Sequence, residues 1–374
     1  MKFSCTKENL LKALTCTGYV SGKQVNLPIL QNVLISMKNT ETKIVSTNLE
    51  IAVSAQLRAK VETDGEFTVP ARVFLEYMSN VPGDRVDIEL HDSGLGVQMG
   101  HSKTVLKGME ATEFPLIPGI EGDVVFELDA KVLLNALHQV LFAASKSDVR
   151  LELSGVLFHC NPPEGKQNLV LAATDSFRLA EKKITFKSGG TEEKRVIVPS
   201  RTVAELVRII NVSSKEIDSV TMRVSDHQIV FVCGGVQITS RLTEGNYPNY
   251  EHIIPKESNV EMSALKDDVV KQVKGASLFT TKGIGAVRMK FVAAENKINI
   301  TSTNAQTGEH AGSVVAEGKG DEVEMYLNHR YILDGLGVID NERVVFSAQS
   351  TDAPLVMRPQ MDKDYLYMIM PIKQ

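Results

Sequence analysis

The residues with the best claim to chemistry in this 374-residue chain lie in LVLAATDSFRLAEKK, residues 169–183, where Asp175 and Arg178 flank Ser176 and Phe177. A carboxylate beside a guanidinium serves as an acid–base pair only with a cooperating nucleophile and a substrate pocket. Neither stands out in the surrounding sequence. Asp and Ser at such a break favour a turn, because their short side chains bond to nearby backbone. A turn residue with a neighbouring salt bridge is therefore the preferred reading. A hydrolase or transferase using Asp175 and Arg178 is the alternative, and turnover abolished by Asp175→Ala would support it. Other catalytic patterns are weak. Gly94, Gly96 and Gly100 in SGLGVQMG miss the dinucleotide-binding spacing and precede no helix start. No phosphate-binding G-x-x-x-x-G-K-[ST], nucleophile elbow G-x-S-x-G or zinc-binding H-E-x-x-H occurs. His101, His159 and His252 fall where strand ends or loops are expected. Cys5, Cys16, Cys160 and Cys233 show neither zinc-site spacing nor the density of a secreted disulfide scaffold, which points to free thiols in a reducing cytosol. The sequence assigns no catalytic residue, no metal ligand and no cofactor.

The elements around Asp175 are more informative than the pair itself. The segment reads as a strand, a break at Thr174-Asp175-Ser176, and a second strand from near Arg178. Weaker copies are KIVSTNLEIAVSA at 43–55 and KINITSTNAQTGEHA at 297–311, with Asn48, Asp175 and Asn304 spaced by 127 and 129 residues. Arg72, Arg201 and Arg330, each in a helix further along, are spaced by 129 and 129. One unit is used three times. Each copy starts with a strand and a helix, as in KFSCT followed by Leu10, Leu11 and Leu14 at helical spacing behind a Thr6 cap. LPILQNVLISM reads as a strand, Pro70 suits a helix start, and Asp129 and Ser200 sit at cap positions. The closing YLYMIMP reads as a last strand. The fold class is α+β: three tandem domains of like topology, over 1–121, 122–255 and 256–374, with helices on one face of antiparallel sheet.

Composition agrees with a folded, soluble chain. Hydrophobic residues make up 43% and aromatics 6%, enough apolar material for cores and against disorder. No run is apolar enough for a signal peptide or membrane span, so the expected location is cytoplasmic, with no membrane partner. A net charge of −5 argues at first against nucleic acid, but its distribution qualifies that. The six expected helices hold ten Lys or Arg against seven acids, a net of +3, leaving −8 for the remainder. Helices gathered on one surface would turn a basic face toward a polyanion and bind phosphates without reading bases. Ordinary solvated helices are the alternative explanation of so small a margin.

Seven motifs in order along the whole chain resemble one family. They are MKF before a helix with LLKAL, LPIL at 27–30, VPAR at 69–72, ATDSFRLA at 173–180, VIVPSR at 196–201, EGNYPNY at 244–250 and the terminal YLYMIMPIKQ. Together they resemble the bacterial DNA polymerase III beta subunits, the beta sliding clamps. The resemblance implies the DNA clamp fold, a head-to-tail homodimer closed into a ring with helices inside and sheets outside. It implies a non-catalytic processivity factor encircling double-stranded DNA. Its implied partners are the DNA polymerase III catalytic subunit, an ATP-dependent clamp loader, and other polymerases and repair proteins carrying clamp-binding motifs.

Carried over position by position, the resemblance implies a partner-peptide groove. It comprises Leu153, Thr174, Phe177, Arg178, Leu179, Pro248 and Ile253, with Met368, Ile369, Met370, Pro371 and Ile372 from the tail. DNA contacts fall on Lys23 or Gln24 and on Ser147, Arg150 and Leu151, and the ring interface on Thr104, Leu278 and Phe279. The family often has Gly-His where this chain has Ser176-Phe177, an aromatic at Leu151 and a basic residue at His252. A triplicated scaffold that binds peptides and not DNA is a further alternative, in which mutating Arg150 leaves function intact.

Overall fold

A computed structural model describes residues 1–20, 27–38, 41–117, 124–147, 149–163, 167–214, 216–281 and 283–373. Lys23 and Gln24 lie outside the described residues. The first repeat runs β1 (Lys2–Thr6), α1 (Lys7–Thr17), β2 (Asn32–Lys38), β3 (Glu41–Thr47), β4 (Ile51–Gln56), β5 (Ala59–Thr63), β6 (Gly65–Pro70), α2 (Ala71–Asn80), β7 (Arg85–His91), β8 (Gly94–Met99) and β9 (Ser102–Leu106). The second runs β10 (Val124–Asp129), α3 (Ala130–Leu141), β11 (Gly155–Cys160), β12 (Asn168–Thr174), β13 (Arg178–Thr185), β14 (Ser188–Gly189), β15 (Lys194–Pro199), α4 (Ser200–Ser213), β16 (Ser219–Val224), β17 (Gln228–Cys233) and β18 (Val236–Arg241). The third runs β19 (Val260–Leu265), α5 (Lys266–Ser277), β20 (Ala286–Val292), β21 (Lys297–Asn304), β22 (Gly308–Gly320), β23 (Val323–Asn328), α6 (His329–Val338), β24 (Arg343–Ala348), β25 (Leu355–Pro359) and β26 (Tyr365–Ile369).

Local chemistry explains the helix starts. The Thr6 hydroxyl accepts from the Asn9 amide, and the Asp129 carboxylate accepts from the amides of Lys131 and Val132. Each satisfies donors that the first helical turn leaves unpaired. The Val132 amide in particular holds the Asp129 carboxyl below the usual carboxylate range. Ser200 is the first helical residue rather than the cap, a shift of one position. The LPIL expectation is corrected more substantially: Pro28–Gln31 form a 3₁₀ turn, and the strand begins at Asn32. Pro28 lacks the N–H a strand ladder needs and suits the start of a helical turn. With Asp129 ending β10, the helices carry ten Lys or Arg against six acids, one acid fewer than expected.

Among the described residues the strands form three antiparallel sheets, distributed over two compact units. The first unit, Met1–Leu134 with Phe186–Glu192 and Arg201–Leu242, contains the orders β5-β1-β7-β8-β9 and β14-β10-β16-β17-β18-β4-β3-β2-β6. The second, Asn135–Thr185 with Glu193–Ser200 and Thr243–Gln374, contains β15-β11-β12-β13-β26-β25-β24-β19-β22-β21-β20-β23. The units therefore divide the central repeat rather than following repeat boundaries. Each has its own core: α1 buries Leu10 and Leu14 in the first, and Phe158, Phe291, Phe346, Tyr365 and Tyr367 are fully buried in the second. Each such side chain contributes about 1.5–3 kcal/mol relative to exposure.

Successive repeats are welded by shared strands. β4 pairs with β18, matching Val53 to Ile238, and β13 pairs with β26, matching Leu179 to Met368. Both β4 and β13 directly follow the repeated turn. Each meets the last strand of the next repeat.

Candidate partner-binding groove

The turn at 174–178 is held almost entirely by side chains. The Asp175 Oδ1 atom accepts from the amides of Phe177 (3.0 Å) and Arg178 (3.1 Å). The Thr174 hydroxyl donates to the Arg178 carbonyl at 2.6 Å and accepts from the Ser176 amide at 3.2 Å. Ser176 is left with φ 78°, a left-handed conformation that costs a non-glycine residue energy. The consequence is that Phe177 is pushed outward and is 61% exposed.

Strand alternation then sorts the neighbours. Leu179 lies opposite Thr174 on β12 and Met368 on β26, and Met368 lies opposite Val356 on β25. On this face Leu153, Leu157, Ala172, Leu179, Ile197, Val356, Leu366 and Met368 form one apolar cluster with Tyr247 and Tyr250. The two tyrosine rings meet edge-on at 6.3 Å. The Tyr250 hydroxyl donates to Glu181 Oε2 at 2.6 Å, and the Tyr247 hydroxyl reaches the Ala172 carbonyl at 3.4 Å. Burial raises both phenols above their ordinary range. Ile253 is half exposed, Met370 is exposed and Pro248 partly so. The result is an apolar floor with aliphatic and aromatic side chains at its rim, the arrangement that anchors short peptides.

The opposite face carries different chemistry. Arg178 pairs with Ile369, so neither shares a side with Leu179 and Met368. The resemblance puts all four in one groove; the pairing places Leu179 and Met368 on one face of the sheet and Arg178 and Ile369 on the other. Arg178 is 8% exposed and fully engaged. Its guanidinium donates to Asp175 Oδ2 (3.0 Å), Asp334 Oδ2 (2.5 Å) and the Phe142 carbonyl (2.9 Å). Its Cζ lies 5.4 Å from the Phe142 ring and 4.6 Å from the Tyr331 ring. Burial alone would lower its pKa, but the Asp334 hydrogen bond and the neighbouring negative groups hold it above the ordinary arginine value. This cation fixes the turn from beneath.

The tail closes the site. The Met370 amide donates to the Phe177 carbonyl at 2.8 Å, and the Ile372 amide donates to the Tyr326 carbonyl at 2.7 Å. Pro371 lies between these two ties, so the last strand ends at Ile369 rather than at the proline. Ile372 also lines a hollow of about 450 Å³ with Arg288, Thr301, Thr303 and Tyr326.

Of the remaining sequence candidates, Ser147, Arg150 and Leu151 are exposed, and Arg150 bonds to Glu152 at 2.9 Å and to the Ser176 hydroxyl at 3.4 Å. Thr104 lies on β9, a strand at the end of its sheet. Leu278 is 73% exposed just beyond α5, and Phe279 is partly buried with its ring 6.5 Å from that of His310. Tyr247, Tyr250, Val356 and Leu366 were not identified as site residues. The two tyrosines were visible in EGNYPNY, but Val356 and Leu366 join the site only through strand pairing. His252 bonds to Asn249 at 3.1 Å, and no helix among the described residues is long and apolar enough to cross a membrane.

Comparison with known proteins is consistent along the entire chain. Three domain families match in order: DNA polymerase III beta subunit N-terminal domain over residues 1–118, central domain over 127–249 and C-terminal domain over 251–373. The chain is 27% identical over 383 residues to beta sliding clamps of Staphylococcus epidermidis and Staphylococcus aureus, covering 100% of this chain and 99% of each relative. It superposes on the DNA polymerase III beta subunit of Thermotoga maritima with a TM-score of 0.93 at 24% identity, covering 100% and 99% of the two chains. A Pseudomonas aeruginosa sliding clamp bound to griselimycin gives a TM-score of 0.93 at 26% identity, with 100% of both chains covered.

Proposed function

Since this chain belongs to the DNA polymerase III beta subunit family, we propose that it is a processivity clamp that closes around duplex DNA as a head-to-tail dimer. Its domains are taken as 1–121, 122–255 and 256–374. It is non-catalytic, has a cytoplasmic location, and tethers the replicative polymerase and other motif-bearing proteins through the groove beside Phe177.

One observation carries the ring. In the first two repeats the strand after the turn, β4 or β13, pairs with the closing strand of the next repeat. The third copy of that pair within one chain is incomplete. Among the described residues, 308–315 of β22 pair on one side only, with β21, and β9 ends its sheet. Joining β22 of one copy to β9 of another repeats the same weld and leaves a complementary joint at the far end. Two copies close the circle with two such joints. Matching the hairpins before β9 and β22 with those before β18 and β4 pairs Thr104 with His310 and Lys103 with Ala311. The sign of Lys103 suits Glu309 as a diagonal neighbour.

The helices' surplus of basic residues supports nonspecific phosphate contact, with Arg150 the best-placed exposed guanidinium beside the groove. A closed ring needs only weak contacts of this kind, because topology prevents departure. Loading therefore requires a separate ATP-using opener.

The test is retention on nicked circular DNA after loading by the cognate ATP-dependent loader, before and after a restriction enzyme linearises the circle. Retention on the circle and loss on linearisation are expected. Equal retention on both forms would refute encirclement, and no retention on either, with a competent loader, would favour a peptide-binding scaffold.

A further inference from the structure

The two joints inside the chain are each locked by an arginine, Arg178 buried and Arg208 partly so, set among similar groups. At the first, Arg208 of α4 donates to the Thr15 and Cys16 carbonyls at the end of α1, both at 2.6 Å, and pairs with Glu205. Its Cζ lies 4.8 Å from the Tyr19 ring. At the second, Arg178 of β13 holds the Phe142 carbonyl just beyond α3, pairs with Asp334 of α6, and lies against the Phe142 ring.

Counting from the helix starts shows that these surroundings are equivalent. Tyr19 and Phe142 are each the thirteenth residue from the start of the first helix of their repeat. Glu205 and Asp334 are each the sixth residue of a second helix. The arginines themselves come from different places, one from a helix and one from the strand after the turn. Two unrelated chain positions thus deliver a guanidinium to one kind of slot: helix-terminal carbonyls, an aromatic ring and a carboxylate.

The third copy of the slot would form between two molecules. Its carboxylate is present as Glu76, the sixth residue of α2, which now pairs with the exposed Arg72 at 2.7 Å. The thirteenth position from the start of α5 is Leu278, so the ring is missing. The position matching Arg208 is Ser79, whose hydroxyl donates to the Leu75 carbonyl, and the position matching Arg178 is Gly308, the first residue of β22, which stands opposite Asn304 as Arg178 stands opposite Asp175.

Building on the proposed ring, we infer that the joint between two copies is an arginine slot deliberately left without its arginine, so that the ring parts there while its internal joints hold. Shared strand pairing and the apolar Leu278 remain to close the joint. The charge-assisted helix cap and cation–π contact, the contributions that resist separation at the other two joints, are absent.

The inference is tested by filling the slot. Ser79→Arg restores the Arg208 route, with Glu76 three residues earlier as Glu205 is to Arg208; Gly308 has φ 107° and would be strained by any side chain, so the Arg178 route is left as it is. Ser79 is exposed, so folding should be unaffected, as thermal melting would verify. The dimer dissociation constant is read by sedimentation and the lifetime by exchange between differently labelled dimers. Ser79→Arg should dimerise about tenfold more tightly than the unmodified chain and exchange more slowly, with Ser79→Gln unchanged. A folded Ser79→Arg chain that dimerises and exchanges like the unmodified chain would overturn the empty slot while leaving the ring intact. A chain that stays monomeric at replication-relevant micromolar concentrations would overturn the ring reading, and this inference with it.

Discussion

The turns at 47–51 and 174–178 share a backbone and differ in what they are used for. In the first, Asn48 Oδ1 accepts from the amides of Glu50 (3.0 Å) and Ile51 (2.8 Å), and the Thr47 hydroxyl donates to the Ile51 carbonyl at 3.0 Å. Leu49 has φ 75°, against 78° for Ser176. Every one of these features has its counterpart at 174–178. The difference lies in one atom and one residue: the second side-chain atom of Asn48 is an amide nitrogen, and Ile51 stands where Arg178 does. A carboxylate at 175 both makes the turn and grips the arginine that begins the next strand. The lesson is that the repeats share one backbone device, and a single charged pair sets apart the copy that underlies the candidate groove.

Arg178→Met should have the largest effect, because it leaves Asp334 and the mostly buried Asp175 without their cation. A loss of about 3 kcal/mol is expected in denaturant unfolding. A loss below about 1 kcal/mol would mean that the turn stands by itself, as its counterpart at 47–51 does. Asp175→Asn makes the second turn chemically like the first. It keeps the acceptor for the two amides and removes the charge opposite Arg178, so about 1–2 kcal/mol should be lost in the same measurement. The reciprocal Asn48→Asp meets no cation at position 51 and should change stability by less than about 0.5 kcal/mol.

Ser176→Gly and Leu49→Gly test whether the shared backbone carries the same strain. Each should gain about 0.5–1 kcal/mol from relief of the left-handed conformation, partly offset by a more flexible unfolded chain. A gain at one site only, by thermal melting, would separate the two turns. Phe177→Ala should leave stability unchanged, since the ring is largely in solvent, yet weaken a motif-bearing peptide about tenfold by fluorescence polarisation. Unchanged peptide affinity would remove Phe177 from the groove.

Much of this was open to reading from local pattern. Thr6 and Asp129 mark helix starts because a cap is a contact between near neighbours in sequence. Asn48, Asp175 and Asn304 mark three turns for the same reason, and all three accept amides two and three residues ahead. β9 and β18 were missed, although Val236 and Ile238 alternate behind a Gly234-Gly235 turn. β18 is the strand on which the first weld depends and β9 the one proposed to join a second copy, and little in a segment of five or six residues distinguishes it from a loop until its partner is known.

The sequence by itself determined the threefold repeat, the α+β class and the turns, since periodicity and short-range hydrogen bonding are written residue by residue, while the candidate groove residues came from resemblance to a family. Only the tertiary structure decided that Leu179 faces the groove while Arg178 turns away to meet Asp334, and that Val356 and Leu366 complete the floor. Arg178 and Asp334 are 156 residues apart in sequence. The side on which a strand residue falls depends on register, and register is settled only when the distant strand is in place.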